Sequence, residues 1–141
     1  MITLISAKNN ASVQKMKNWF IFYGLEFQEV NISSNPQDLK HEQVTQMVGL
    51  CEEGFSDILS TRKRLPEHLE YWMAAFEDMS FNQAVSLIVD NPCVLCTPIA
   101  FDERRIQVGF NIDDMRKFIP EIHRKIVMKD KVTALRKLKM S

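Results

Sequence analysis

Ile2-Thr-Leu-Ile5 is a short, almost wholly apolar run, the pattern of a buried central strand. Polar residues Ser6 to Asn10 follow. Val13, Met16, Phe20 and Tyr23 then recur at spacings of three and four, which predicts a helix with one apolar face. Gly24 is placed to stop that helix, and Phe27 to Ile32 forms a second strand candidate. Strand, helix, strand over about thirty residues is a βαβ unit.

Ser33-Ser-Asn-Pro36 breaks this pattern. Leu39, Val44, Met47, Val48 and Cys51 share one helical face, Gly54 interrupts, and Phe55 to Leu59 reads as a short helix. Pro66 suits a helical first turn, with Leu69, Tyr71, Trp72 and Phe76 as its bulk. Ser80-Phe-Asn-Gln83 is a capping box, Ala84, Leu87 and Ile88 supply the apolar face behind it, and Asn91-Pro92 ends the helix. Residues 35–92 are therefore expected to be a helical insert. Beyond it, the runs Pro98 to Phe101 and Ile106 to Phe110 flank a charged turn at Asp102 to Arg105, which predicts a β-hairpin with Arg104 and Arg105 solvated. Asn111-Ile-Asp-Asp114 caps a short closing helix, and Pro120 ends it. The expected class is α/β, one domain over 1–141: an α/β half from 1–34 and 93–120, the insert at 35–92, and a tail at 121–141. Trp19, Phe20, Trp72 and Phe76 sit at helical spacings and are expected in the core.

Composition adds limits. The chain has 141 residues, 45% of them hydrophobic, and its mean hydropathy is −0.18. No apolar run approaches the roughly 18–20 residues of a membrane helix. The opening residues lack the basic region of a signal peptide, and an odd count of three cysteines suits free thiols, so a cytoplasmic location is expected. The net charge of zero is unevenly placed. Seven Lys/Arg from Arg124 to Lys139, against Glu121 and Asp130, leave +5 on the tail and −5 on the residues before it. Such a tail is either a solvated end or a contact for phosphate or an acidic protein face.

The run Pro98-Ile-Ala-Phe-Asp-Glu-Arg-Arg-Ile-Gln-Val-Gly-Phe-Asn111, then Asp114-Met-Arg-Lys-Phe-Ile-Pro120, resembles the hairpin and closing helix of the Spx branch of the arsenate reductase and Spx family. Glu52-Glu-Gly-Phe-Ser-Asp-Ile-Leu-Ser-Thr-Arg62 is similar to a second family segment, and Met1-Ile-Thr-Leu4 to its opening strand. The resemblance reaches from Met1 to about His123. It implies a thioredoxin-like mixed sheet, a cis Thr97–Pro98 peptide, and a regulator without chemistry of its own. Such regulators bind the C-terminal domain of the RNA polymerase α subunit, through a surface that includes the position of Gly54. On that basis Glu52, Glu53, Gly54, Phe55, Asp57 and Arg62 are the expected partner-binding residues. Glu52, Glu53 and Asp57 would form an acidic rim, and Arg62 would either hold an anion or pair with a carboxylate. No membrane contact or cofactor is implied. A free monomer is expected, with promoter DNA a further contact for the basic tail.

The departures from the family are equally informative. Asn10 and Val13 occupy the places of the two cysteines of the Spx redox pair, so no thiolate can form at that helix N-terminus. Cys96-Thr97 stands where family members carry basic residues before the proline. Cys93-Val-Leu-Cys96 spells C-x-x-C, but it lies between a helix end and a strand start. Structural thiols are its plain reading, and a redox pair the alternative. Cys51 is a distant single thiol, and His41, His68 and His123 are scattered, so no zinc site is built. An arsenate-reductase-like thiol oxidoreductase, or an antagonist or adaptor at the polymerase site, are the alternative functions.

Overall fold

In a computed structural model, residues 1–8, 11–60 and 76–119 are described. Asn10, Arg62, the Pro66–Trp72 segment and the tail after Pro120 lie outside them. The chain divides into two compact units, Met1–Phe110 and Asn111–Ser141.

The first unit is built on a four-stranded mixed sheet of β1 (Ile2–Ser6), β2 (Phe27–Asn31), β3 (Ile99–Phe101) and β4 (Ile106–Val108), in the order β2-β1-β3-β4. β1 pairs parallel with β2, and Ile2 faces Phe27; it pairs antiparallel with β3, where Ile5 faces Ile99. The apolar run at the N-terminus thus becomes a strand with a partner on each side, as its composition predicted. The hairpin β3–β4 is antiparallel, and its turn is fastened by Asp102, whose Oδ1 accepts from the backbone N–H of Arg104 and of Arg105, both at 2.8 Å. A carboxylate that satisfies two turn amides is why the Asp-led segment reverses the chain.

Alternation along the strands divides the sheet into two faces. Helix α1 (Ala11–Phe22) covers the face of Ile2, Leu4 and Phe27: Phe20 packs on Phe27 with ring centroids 5.3 Å apart. Val13, Met16, Trp19 and Phe20 form the buried stripe of α1, whereas Tyr23 falls just past its end. Gly24, at φ 65°, closes the helix: its N–H bonds to the Ile21 carbonyl and that of Leu25 to Phe20, a Schellman arrangement.

The helical insert covers the other face. Helices α2 (His41–Leu50) and α3 (Phe81–Asp90) contribute Val44, Met47, Val85 and Ile88 to one core with Ile5, Val30, Ile99 and Phe101 of the strands. Ser80 caps α3 as expected, its Oγ accepting from Gln83 N while Gln83 Oε1 accepts from Ser80 N. The expected short helix at Phe55 to Leu59 is instead a 3₁₀ turn, Gly54–Asp57. Leu59 leaves it to form an antiparallel bridge with Leu95, flanked by hydrogen bonds from Ser60 N to Val94 O and from Cys96 N to Ile58 O, both 2.8 Å. Strand-like pairing here takes the backbone groups that a continuing helix would have used.

In the second unit, the closing helix is a 3₁₀ helix, Asp114–Phe118. Asn111 Oδ1 accepts from the N–H of Asp113 and Asp114, and Met115, Phe118 and Ile119 are buried. Among the described residues no helix is long and apolar enough to cross a membrane.

A polar group ties α1 to the sheet. Glu29 Oε2 lies 2.8 Å from Lys17 Nζ, and its Oε1 accepts at 2.8 Å from the hydroxyl of Ser6, which is fully buried at the end of β1. Burial raises the Glu29 pKa, but the hydrogen bonds from Lys17 and Ser6, with the charge of Lys17, outweigh it and hold the carboxyl below its ordinary value. A depressed carboxyl stabilises the fold above its unfolded pKa, and that contribution disappears as pH falls through the folded one. Urea melts of Glu29→Gln should therefore show a loss of about 0.2–1 kcal/mol at pH 7. Below the carboxylate range its stability should converge with that of the wild type.

Candidate functional site

The segment from Cys51 to Ile58 is a short loop between α2 and the Leu59–Leu95 bridge, with Glu52, Glu53 and Ser56 exposed and Ile58 buried. Gly54 has φ 68°, a left-handed conformation that side chains with a Cβ adopt only at a cost of about 1–2 kcal/mol. A Cβ built there would meet nothing within 4 Å, so conformation rather than crowding calls for glycine, and the backbone faces open space. Asp57 Oδ2 accepts from Glu53 N at 3.0 Å, and Ser56 Oγ donates to the Glu53 carbonyl at 3.1 Å. The two hydrogen bonds brace the residue before the glycine.

Of the three carboxylates expected on an acidic rim, Glu52 and Glu53 are exposed. Asp57 is half-buried and occupied in closing the loop, so it serves the loop's shape as well as its charge. Phe55 points into an aromatic trio: its ring centroid lies 5.0 Å from Phe76, edge to face, and 5.4 Å from Phe81. Sequence reasoning placed Phe76 in the core and saw Phe81 only as part of a capping box. Phe76 is half-buried and Phe81 is exposed. A large apolar residue directly after an N-cap, outside the helix's apolar stripe, was the available signal.

The remaining candidates are dispersed. Val13 is buried on the inner side of α1. The Thr97–Pro98 peptide is cis, and the Pro98 carbonyl accepts from Gly109 N at 2.8 Å. Cys93 is exposed in a 3₁₀ turn, Pro92–Val94; Cys96 is half-buried, and all three cysteines are free thiols. Cys96 belongs to the strand-like segment that holds Ile58, so the C-x-x-C borders the glycine loop through main-chain bonds. Cys51 lies at the start of the loop. Burial pushes its thiol pKa up, the Asp57 carboxylate pushes it further, and its Sγ lies 3.1 Å from the Met47 carbonyl oxygen. A protonated, half-buried thiol is a poor nucleophile. Among the described residues no cluster of His, Cys, Asp and Glu could hold a metal ion.

The described residues thus combine a mixed sheet, a helical insert and a braced glycine loop, without a built metal or thiolate centre. Residues 5–118 match the model of the ArsC family, and the chain belongs to that family. Its curated relatives include the global transcriptional regulator Spx 2 of Lactococcus lactis subsp. lactis, 33% identical over 85% of this chain and 87% of that protein. The global transcriptional regulator Spx of Lactiplantibacillus plantarum is 35% identical over 85% and 87%. Among solved structures, an ArsC family related protein from Bacteroides fragilis covers 82% of this chain and 95% of its own at a TM-score of 0.65 and 18% identity. An arsenate reductase from Vibrio cholerae superposes over 75% of this chain and 86% of its own at a TM-score of 0.55 and 10% identity. At these identities the structural likeness shows the fold alone.

The state of Cys51 yields a measurable expectation. Under limiting iodoacetamide at pH 7, Cys93 should be alkylated well before Cys51, as read by peptide mass spectrometry. Asp57→Asn removes one cause of the raised thiol pKa and should speed Cys51 alkylation relative to Cys93. Equal rates in both proteins would contradict the assignment.

Proposed function

We propose that this chain is an Spx-like transcriptional regulator that acts by binding alone, docking on the C-terminal domain of the RNA polymerase α subunit through the Cys51–Ile58 loop. The observation that carries the proposal is the loop itself. Gly54 presents bare backbone to open space, next to two exposed carboxylates, on a turn braced by Asp57 and Ser56. That arrangement offers close main-chain approach and attraction to a basic partner surface. The sequence resemblance of Glu52 to Arg62 to the family's polymerase-contacting segment, and relatives named as global transcriptional regulators, support the same assignment.

The chain works in the cytoplasm as a free monomer that meets the polymerase, and it is not an enzyme. Asn10 and Val13 take the places of the switch cysteines, and the Val13 side chain is part of the core. Its activity is therefore independent of a thiol couple at that position. The basic tail adds a phosphate contact on promoter DNA.

Binding to the purified C-terminal domain of the α subunit tests the loop. Gly54→Arg should weaken the complex by roughly tenfold or more, about 1.4 kcal/mol. Gly54→Asn, which tolerates the left-handed backbone, should stay within about threefold of wild type. Wild-type affinity for Gly54→Arg, or no binding by the native chain, would refute the assignment. For the tail, removing the residues after Pro120 should weaken the promoter complex and flatten its salt dependence. The log–log slope should fall by about 0.9 for each phosphate that the tail had neutralised. An unchanged slope removes the DNA contact.

A further inference from the structure

We infer that the docking face extends beyond the glycine loop onto the first turn of α3, and that its partner brings a lysine or arginine side chain to lie over the ring of Phe81. This rests on the docking proposal above and specifies the chemistry of that partner. Phe81 is 46% exposed although it is a large aromatic residue in a helix whose apolar stripe, Ala84, Val85 and Ile88, is buried. Burying that ring against the stripe's neighbours is not its role. It packs on Phe55, at 5.4 Å between centroids and 47° between planes, and Phe55 in turn is set edge-on to Phe76 at 5.0 Å. The trio makes the exposed ring continuous with the loop that carries Glu53 and Gly54.

Rigid support matters for this assignment. Ser80 and Gln83 close the capping box around the turn that holds Phe81, and Ser80 is its N-cap. The ring therefore has a fixed backbone and a packed neighbour on one side, with solvent available on another. An aromatic face binds cations, arginine most often, and the aliphatic stem of Lys or Arg covers apolar surface while its charged head stays hydrated. Glu52 and Glu53, exposed on the adjoining loop, provide the opposite charge for that head group. An acidic or purely apolar partner would meet these carboxylates unfavourably, so charge complementarity selects a basic one. The hydrogen bond from Glu53 N to Asp57 fixes the backbone at Glu53, two residues before Phe55 of the aromatic trio.

Two substitutions at Phe81 separate packing from cation binding. Phe81→Leu keeps an apolar contact with Phe55 but loses the π face, and Phe81→Trp strengthens it. With the full chain and the C-terminal domain of the α subunit, Phe81→Leu should bind about two- to fivefold more weakly, and Phe81→Trp as well as wild type or better. If the native chain binds the domain and Phe81→Leu binds equally well, the inference falls while the glycine-loop assignment stands. If the native chain does not bind the domain, the polymerase assignment falls, and chemical-shift titration with an acetylated Arg-Leu-Arg amide decides this one. Shifts at Glu53 and Phe81 that disappear in Phe81→Leu uphold the cation site, and their absence from the native chain overturns it.

Discussion

The bridge between Leu59 and Leu95 is the pairing on which the first unit depends. Two main-chain hydrogen bonds fasten the end of the glycine loop to the segment that leads into β3, and Ile58 and Leu95 beside them are fully buried. Buried amides without partners cost more than the bonds themselves contribute, so this short pairing is what allows the chain to pass from the insert to the hairpin through the core. It also sets where the loop ends. With α2 fixed at one side by Val44 and Met47 and the bridge at the other, Cys51 and Phe55 pack against the core while Glu52, Glu53 and Ser56 are left exposed.

The loop also determines what this member of the ArsC family presents to solvent. Thiol chemistry on this scaffold needs a lowered cysteine pKa, which comes from a helix N-terminus or a nearby cation. The one cysteine in the loop has the opposite environment, apolar burial and a carboxylate. What the loop does offer is shape: bare backbone at Gly54, two solvated carboxylates and a supported aromatic ring. These exposed charges and this accessible backbone are what the docking proposal rests on, and they lie between β2 and β3 in the chain.

Much of this architecture was legible because local chemistry and packing agree. The apolar run at Ile2 to Ile5, the stripe through Val13, Met16 and Phe20, the glycine stop at Gly24 and the Ser80–Gln83 box each specify an element with only a few neighbours. The Asp102 turn was equally plain, since a single carboxylate satisfies both amides. The loop was harder to read. A run such as Phe55-Ser-Asp-Ile-Leu59 has helical spacing, and only its distant pairing with Val94 to Cys96 turns it into a 3₁₀ turn and a bridge. Phe81 was hidden for a related reason: whether an aromatic residue in a first turn faces the core or the solvent depends on what Phe55 does in another element. Asp57 combined a visible charge with an invisible duty, because its hydrogen bond to Glu53 depends on the tightness of that turn.

The burial of Val13 has a consequence for anyone wishing to place a cysteine in the first turn of α1. A sulfur placed there would inherit a dry, apolar pocket that favours the neutral thiol and hides it from oxidants. Such a sulfur would be shielded from bulk oxidants although Ala11, Ser12 and Gln14 on the same turn are exposed. Its environment would be set by which side of α1 it occupies and not by where it falls along the chain.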